Sequence, residues 1–258
     1  MFLLPQHPVV APFFYAFLMF GGRFFVLAAL AFYFMRPARS KPAGRPHIIA
    51  PPSFQFAPHV RRELLYSLVT VVIIGLVNAV FFGYGWYQSS LLYFKYGAYP
   101  AWWFWASIPV MVLLHDTLFY WLHRAMHTRL LYARVHLLHH RSVYPTAFAA
   151  YSFSFAEAFA ESLIVTAIVF MIPVHPLAVL IFQTYSTAYN IYGHCGREFF
   201  SRDAQSHWLA KWFNTSSLHA HHHRHGHGNY SFYFTFWDRL MQTQETPKIT
   251  APAQSRVR

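Results

Sequence analysis

The 258-residue chain is 56% hydrophobic and 21% aromatic but only 11% charged, less than half of the roughly 25% charge of soluble domains, which excludes an ordinary soluble globular protein. Twenty Lys and Arg against eight Asp and Glu give a formal charge of +12. The basic residues fall in short sets beside apolar runs, Arg36, Arg39, Lys41 and Arg45, then Arg61 and Arg62, then Arg124, Arg129, Arg134 and Arg141, the loop bias of a membrane protein and not the stripe of a nucleic-acid binder.

Met1 to Val10 lacks a basic n-region, and the apolar run after it has no small-residue cleavage pattern, so it reads as a retained anchor. The first span runs from about Phe13 to Met35 with Arg23 as its one charge. A charge at the centre of a span costs about 2.5–3.5 kcal/mol on insertion scales, so Arg23 is expected to snorkel or to face a partner helix. A Pro- and Arg-rich loop follows from Arg36 to Pro58, then a second span from about Leu64 to Tyr84. The third, about Ala101 to Leu122, opens on Trp102, Trp103 and Trp105, suited to a membrane interface. Two shorter segments, about Phe155 to Ile172 and Leu177 to Tyr192, flank Pro173-Val174-His175-Pro176, which predicts a tight helical hairpin whose arms are short for independent crossings.

From Phe199 to Phe213, polar residues alternate with Phe200, Trp208, Leu209, Trp212 and Phe213, predicting an interfacial helix, and the tail after Thr246 is expected to be disordered. The fold expected is all-α: an integral-membrane bundle of four to five spans with a cytoplasmic helical cap. No long linker divides the chain, so one domain is expected, with N-terminal spans over 1–100, a histidine-bearing region over 101–243 and a tail over 244–258. Placing the Arg-rich segments in the cytoplasm puts 36–62, 123–150 and the region after 193 on one face. Two spans between the second and third histidine clusters bring the chain back to that face.

Three histidine clusters carry the chemistry. His123 and His127 are four apart on the end of the third span and share a helical face, so both imidazoles can reach one metal. His136, His139 and His140 form H-x-x-H-H, expected to converge on one side of a helical turn, and His219, His222 and His223 repeat that spacing. His194 follows the last span toward the same surface, completing nine donors. Asp116, seven residues before His123, lies within about 20° of its face and is a candidate to accept a hydrogen bond from a liganding imidazole. His115 is rotated away and is a weaker candidate for an extra ligand.

Lone histidines (His7, His47, His59, His175) read as surface or loop residues, as do His207 and His221, while His225 and His227 lie in a glycine-punctuated loop and stay open as extra ligands. Glu157 and Glu161, four apart on the fourth span, are expected to face the bundle interior near a cationic or metal partner, or to form an ion pair. Cys195, the single cysteine, excludes a disulfide framework and a multi-cysteine metal site within one chain. Nine imidazoles exceed one metal's needs, so two metals sharing them is the economical reading; iron would allow O2 activation, although zinc suits imidazole too.

These residues resemble the fatty acid hydroxylase and sterol desaturase superfamily, whose pattern is H-x-x-x-H, then H-x-x-H-H, then a later H-x-x-H-H. The resemblance covers about residues 110 to 243 and includes the flanks Asp116-Thr117, Tyr120-Trp121-Leu122-His123-Arg124, Gly228-Asn229-Tyr230 and Phe236-Trp237-Asp238-Arg239. His194 in Gly193-His194-Cys195-Gly196 is similar to the isolated histidine of sterol methyl oxidases. Many members have His-Pro-x-Glu after the second box; here Ser154-Phe155-Ala156-Glu157 stands there, keeping the glutamate.

The resemblance implies a membrane-bound oxidoreductase with two iron ions and O2, hydroxylating or desaturating a sterol, fatty acyl chain or related membrane lipid. The chain has no Gly-rich dinucleotide fingerprint and no haem or iron–sulfur cysteine pattern, so an external cytochrome, ferredoxin or reductase is the expected electron donor. The rival is a histidine-rich membrane metal transporter or metal-binding protein, but transporters place ligands inside spans near the midplane, whereas these clusters sit at span ends.

Overall fold

The computed structural model describes residues 8–34, 56–200 and 208–245. The basic loop over 36–55, His7, His47, residues 201–207 with His207, and the tail beyond Thr246 lie outside the described residues. Helix α1, Val10–Phe34, is 25 residues long, α2 spans Phe56–Gly83 and α3 spans Ala101–Met126. Short α4, Leu137–His140, continues a π turn over Tyr132–His136. Then come α5, Phe155–Met171; α6, Pro176–His194; α7, Ser216–His225; and α8, Phe236–Leu240. Among the described residues β structure is limited to two isolated bridges, Leu92 with Val174 and Phe213 with Phe234.

Three helices, Val10–Phe34, Pro58–Gly83 and Ala101–Met126, are long and apolar enough to cross a membrane. The tight hairpin expected about Pro173–Pro176 forms from helices of 17 and 19 residues, neither of which is among the helices long and apolar enough to cross, and α6 carries Gln183, Thr184, Ser186, Thr187 and Asn190. This pair packs inward against α2 and α3. Ser154 caps α5 by accepting from the Glu157 backbone N–H at 3.2 Å, while Pro176 occupies the first turn of α6 behind His175, whose Nδ1 accepts from Leu177 N–H at 3.1 Å. Trp103 Nε1 donates to the Pro173 carbonyl at 2.8 Å, fixing the hairpin turn to the start of α3.

Helix α1 lies against α2 along a seam of small residues. A Cβ on Gly21 would stand 2.7 Å from Val71 Cγ1, and one on Gly83 would stand 2.7 Å from the Pro8 carbonyl oxygen. Glycine is what lets the two backbones approach this closely. Outer faces expose Leu18, Val26, Leu65, Leu76, Trp102, Trp105 and Leu113, as a lipid-facing surface does. The N-terminal half of α2 reaches the segment beyond the second histidine cluster: Arg62 Nη2 donates to Ser142 Oγ at 3.0 Å, Ser67 Oγ to the Phe148 carbonyl at 2.7 Å, and Thr146 Oγ1 to Glu63 Oε2 at 2.5 Å.

The expected interfacial helix over 199–213 is, where described, one 3-10 turn, Ala210–Trp212. Its end is pinned to α8 instead of running on as a helix: the Lys211 carbonyl accepts from Thr235 Oγ1 at 2.7 Å and from Arg239 Nη2 at 2.9 Å.

Candidate metal centre

All nine sequence-selected histidines meet at the end of α3, in two adjoining groups. His123, His127, His136, His140 and His222 place one ring nitrogen each within 4.8 Å of one another, and His139, His194, His219 and His223 do the same. Seven of the nine are buried, with His127 and His219 partly so. The H-x-x-H-H triplets do not each converge on one point as expected. Successive helical residues point about 100° apart, so His136 and His140 face the first group while His139 faces the second, and His222 turns to the first while His219 and His223 serve the second.

For five of the nine rings a hydrogen bond behind the ring orients it. Nδ1 of His123, His127, His222 and His194 donates to the carbonyls of Tyr230, Gly226, Gly228 and Asn190 at 2.7, 2.9, 2.6 and 2.8 Å. Nδ1 of His136 donates to Glu157 Oε1 at 2.6 Å. A carbonyl only accepts, so the Nδ1 atoms of His123, His127, His222 and His194 carry the proton, and each of these rings, when neutral, presents a bare lone pair at Nε2. Yet Nε2 of His123 stands 3.0 Å from that of His136 and 3.1 Å from that of His222. In the second group the Nε2 of His194 stands 3.0, 3.2 and 3.3 Å from those of His219, His223 and His139.

Protonation of the rings is opposed by burial, which holds the His140 imidazole down at about 3 and that of His127 at about 4, and keeps His222 and His223 well below the ordinary range. Converging neutral lone pairs are the donor set of a cation with a preference for imidazole, and the residues therefore fit a metal in each group.

Asp116 does not reach an imidazole. Its Oδ1 instead accepts from the backbone N–H groups of Phe232, Tyr233 and Phe234 at 3.2, 2.6 and 3.3 Å, because the chain after the third cluster folds back over α3 and buries these amides against it. Asp238 likewise accepts from Tyr230 and Ser231 N–H at 2.9 Å each. The two carboxylates thus hold the loop whose Tyr230 carbonyl orients His123. Glu157 does meet an imidazole, that of His136. His115 is buried among Phe119, Phe182, Phe232 and Tyr233, outside both groups. His225 and His227 also lie outside them, with His227 Nδ1 donating to Glu245 at 2.7 Å.

The residues that sequence reasoning missed are backbone acceptors. Gly226 and Gly228 adopt φ of +70° and +65°, and this left-handed turn after α7 aims their carbonyls at His127 and His222. A Cβ on Gly228 would stand 2.8 Å from both the Thr243 carbonyl oxygen and Glu245 Cγ. Gly228→Ala is therefore expected to cost about 1–3 kcal/mol of stability, read as a lower thermal midpoint, and to weaken metal retention in parallel.

A cavity of about 770 Å³ runs from the histidine end toward the hairpin turn at Pro176 and Leu177, lined by α1, α2, α5, α6 and by His115 and Phe119 of α3. Phe119, Phe153, Glu161, Asn190 and Phe232 line both this cavity and a space of about 20 Å³ that touches His123, His136, His139, His194 and His219. They form the partition between a lipid-sized apolar cavity and the histidines.

The family model described as fatty acid hydroxylase matches residues 108–243. The chain is 30% identical over 183 residues to lathosterol oxidase of Mus musculus, across 70% of this chain and 60% of that protein. It is 29% identical over 193 residues to lathosterol oxidase of Homo sapiens, across 73% and 62%. With a Delta(7)-sterol 5(6)-desaturase of Schizosaccharomyces pombe it shares 31% identity over 135 residues, across 52% and 45%. The match thus spans less than two thirds of each of these relatives. No solved structure matches the chain. The match runs from within α3 through α8 and includes all nine histidines, and the chain belongs to the fatty acid hydroxylase family.

Proposed function

We propose that this chain is a membrane-bound oxidoreductase that uses two iron ions, held by His123, His127, His136, His140 and His222 and by His139, His194, His219 and His223, to hydroxylate or desaturate a membrane lipid. The observation that carries the reading is the convergence of nine imidazoles in two groups beside a lipid-sized apolar cavity. The relatives named for sterol oxidation support it.

Iron, when bound, supplies the O2-dependent oxidation of an unactivated C–H bond. The chain's own residues do the rest. Carbonyls orient His123, His127, His194 and His222, and Glu157 orients His136, while Phe119, Phe153 and Phe232 stand between the cavity and the histidines and keep bulk water from the reacting end. The lipid enters from the bilayer and the histidine end faces the cytoplasm, where exposed Arg129, Arg134 and Arg141 beside the second cluster receive an acidic electron donor of the cytochrome, ferredoxin or reductase type.

Purified protein loaded with Fe(II) and given a reductant, O2 and a membrane lipid extract should produce lipids that have gained one oxygen atom or lost two hydrogens, detected by mass spectrometry. Absence of any O2-dependent product, with metal moving across proteoliposomes instead, would overturn the reading in favour of transport.

A further inference from the structure

The charge in the first span is aimed inward. Nε, Nη1 and Nη2 of Arg23 are all buried and none has a hydrogen-bond partner; the guanidinium carbon lies 5.1 Å from the centre of the Phe20 ring. Among the described residues no carboxylate stands within 4.0 Å of it. Across the seam, Thr70 of α2 is also buried, and its Oγ1 also lacks a partner. Arg23 and Thr70 line the same cavity. A buried guanidinium without an anion is costly in an apolar setting, and two orphaned polar groups on one cavity wall point to a shared ligand.

The local backbone keeps Arg23 on that wall. Ala11, Tyr15, Met19 and Arg23 line the cavity at steps of four residues, wider than the 3.6 of an α-helix. The π turn Phe17–Gly21 inserts the extra backbone that sustains this spacing, and Gly21 against Val71 holds the turn onto α2 beside Thr70.

Arg23 also marks one end of the cavity. The adjacent Phe24 stacks on Tyr151 at 4.1 Å, Tyr151 on Phe153 at 6.3 Å, and Phe153 packs on His139 at 5.1 Å. The far end, at Leu92, Pro176 and Leu177, is apolar.

Resting on the function proposed above, we propose that Arg23 and Thr70 form a subsite for an oxyanion, so that the cavity takes an anionic single-chain lipid with its charged end toward the histidines and its tail toward the hairpin turn. A carboxylate or a phosphate offers the paired oxygens that a guanidinium fork accepts, and its charge neutralises the arginine; a neutral hydroxyl leaves that charge uncompensated. The carbon presented to the histidines then lies near the polar end of the lipid, and Arg23 determines which lipids enter.

The test is a binding measurement on the purified full-length protein in detergent, with hexadecanoate, hexadecyl phosphate and hexadecanol as probes and without added iron, so that it does not depend on oxidation. Wild type should bind one of the two anionic probes tighter than the alcohol, on the order of 10–100-fold for a charge-assisted pair; whichever anion binds tighter identifies the head group. R23Q should abolish that preference, R23K, which keeps the charge but loses the fork, should retain only part of it, and T70V should reduce it. R23Q removes a charge from a span and is expected to fold, which an unchanged metal content after iron loading would verify. Equal binding of anions and alcohol by wild type, or an anion preference that survives in R23Q, would overturn the proposal while leaving the oxidoreductase reading standing.

Discussion

The His222→Ala and His139→Ala variants are expected to lose O2-dependent lipid oxidation by more than about 100-fold, since loss of even an outer hydrogen-bond partner of a metal ligand costs about 10–100-fold. The two should differ in metal content. His222 belongs to the five-donor group, so four imidazoles remain after its removal, whereas His139 belongs to the four-donor group, which falls to three. Iron per chain should therefore drop further in His139→Ala, toward half of the wild-type value, and less in His222→Ala. Iron should raise the thermal midpoint of wild type, because a ligand that binds only the folded state stabilises it, and should raise that of both variants less. Metal analysis, product assay and thermal melts on the same preparations check each part. If both variants kept their metal and their activity, the nine-histidine centre would be refuted.

Much of this centre was legible before the structure. His123 and His127 share a face by simple helical spacing, and the even number of hydrophobic segments between the second and third clusters returns the chain to one side, which is how the nine rings meet. The division of His139 from His140, and of His222 from His223, was available in the same geometry, since neighbours on a helix diverge by about 100°. Asp116 was misread because angular position on a helix says only which way a carboxylate points. Its partners are amides 116 to 118 residues away in sequence, and no local pattern announces them.

The fourth and fifth segments were apolar enough to suggest spans, yet Gln183, Thr187 and Asn190 of α6 line the cavity rather than face lipid. The cavity itself is a property of how five helices fail to fill the space between them, and it has no sequence signature. Its polar wall does have one: Arg23 was conspicuous as the one charge of its span, though only the fold shows that it turns inward beside Thr70.

Glu157 offers the sharpest separation of chemistry from scaffolding. It sits in the first turn of α5 behind the Ser154 cap, and its carboxylate meets His136 Nδ1 at 2.6 Å, with both side chains buried. A carboxylate in that place fixes the ring orientation, keeps the proton on Nδ1 and makes Nε2 a stronger donor to the metal. Glu157→Gln keeps the shape and one accepting oxygen but removes the charge, so iron affinity and oxidation are expected to fall about 10-fold, while Glu157→Ala also frees the ring and leaves Nδ1 without an acceptor, giving a loss nearer 100-fold. Glu157→Asp is one methylene short and should resemble Ala. A purely structural glutamate would instead show itself in the thermal midpoint, with iron affinity unchanged in Gln. Competition of each variant with a chelator for Fe(II), alongside its melting curve, separates the two, and an ordering of wild type above Gln above Ala in iron affinity is the outcome that the His136–Glu157 contact demands.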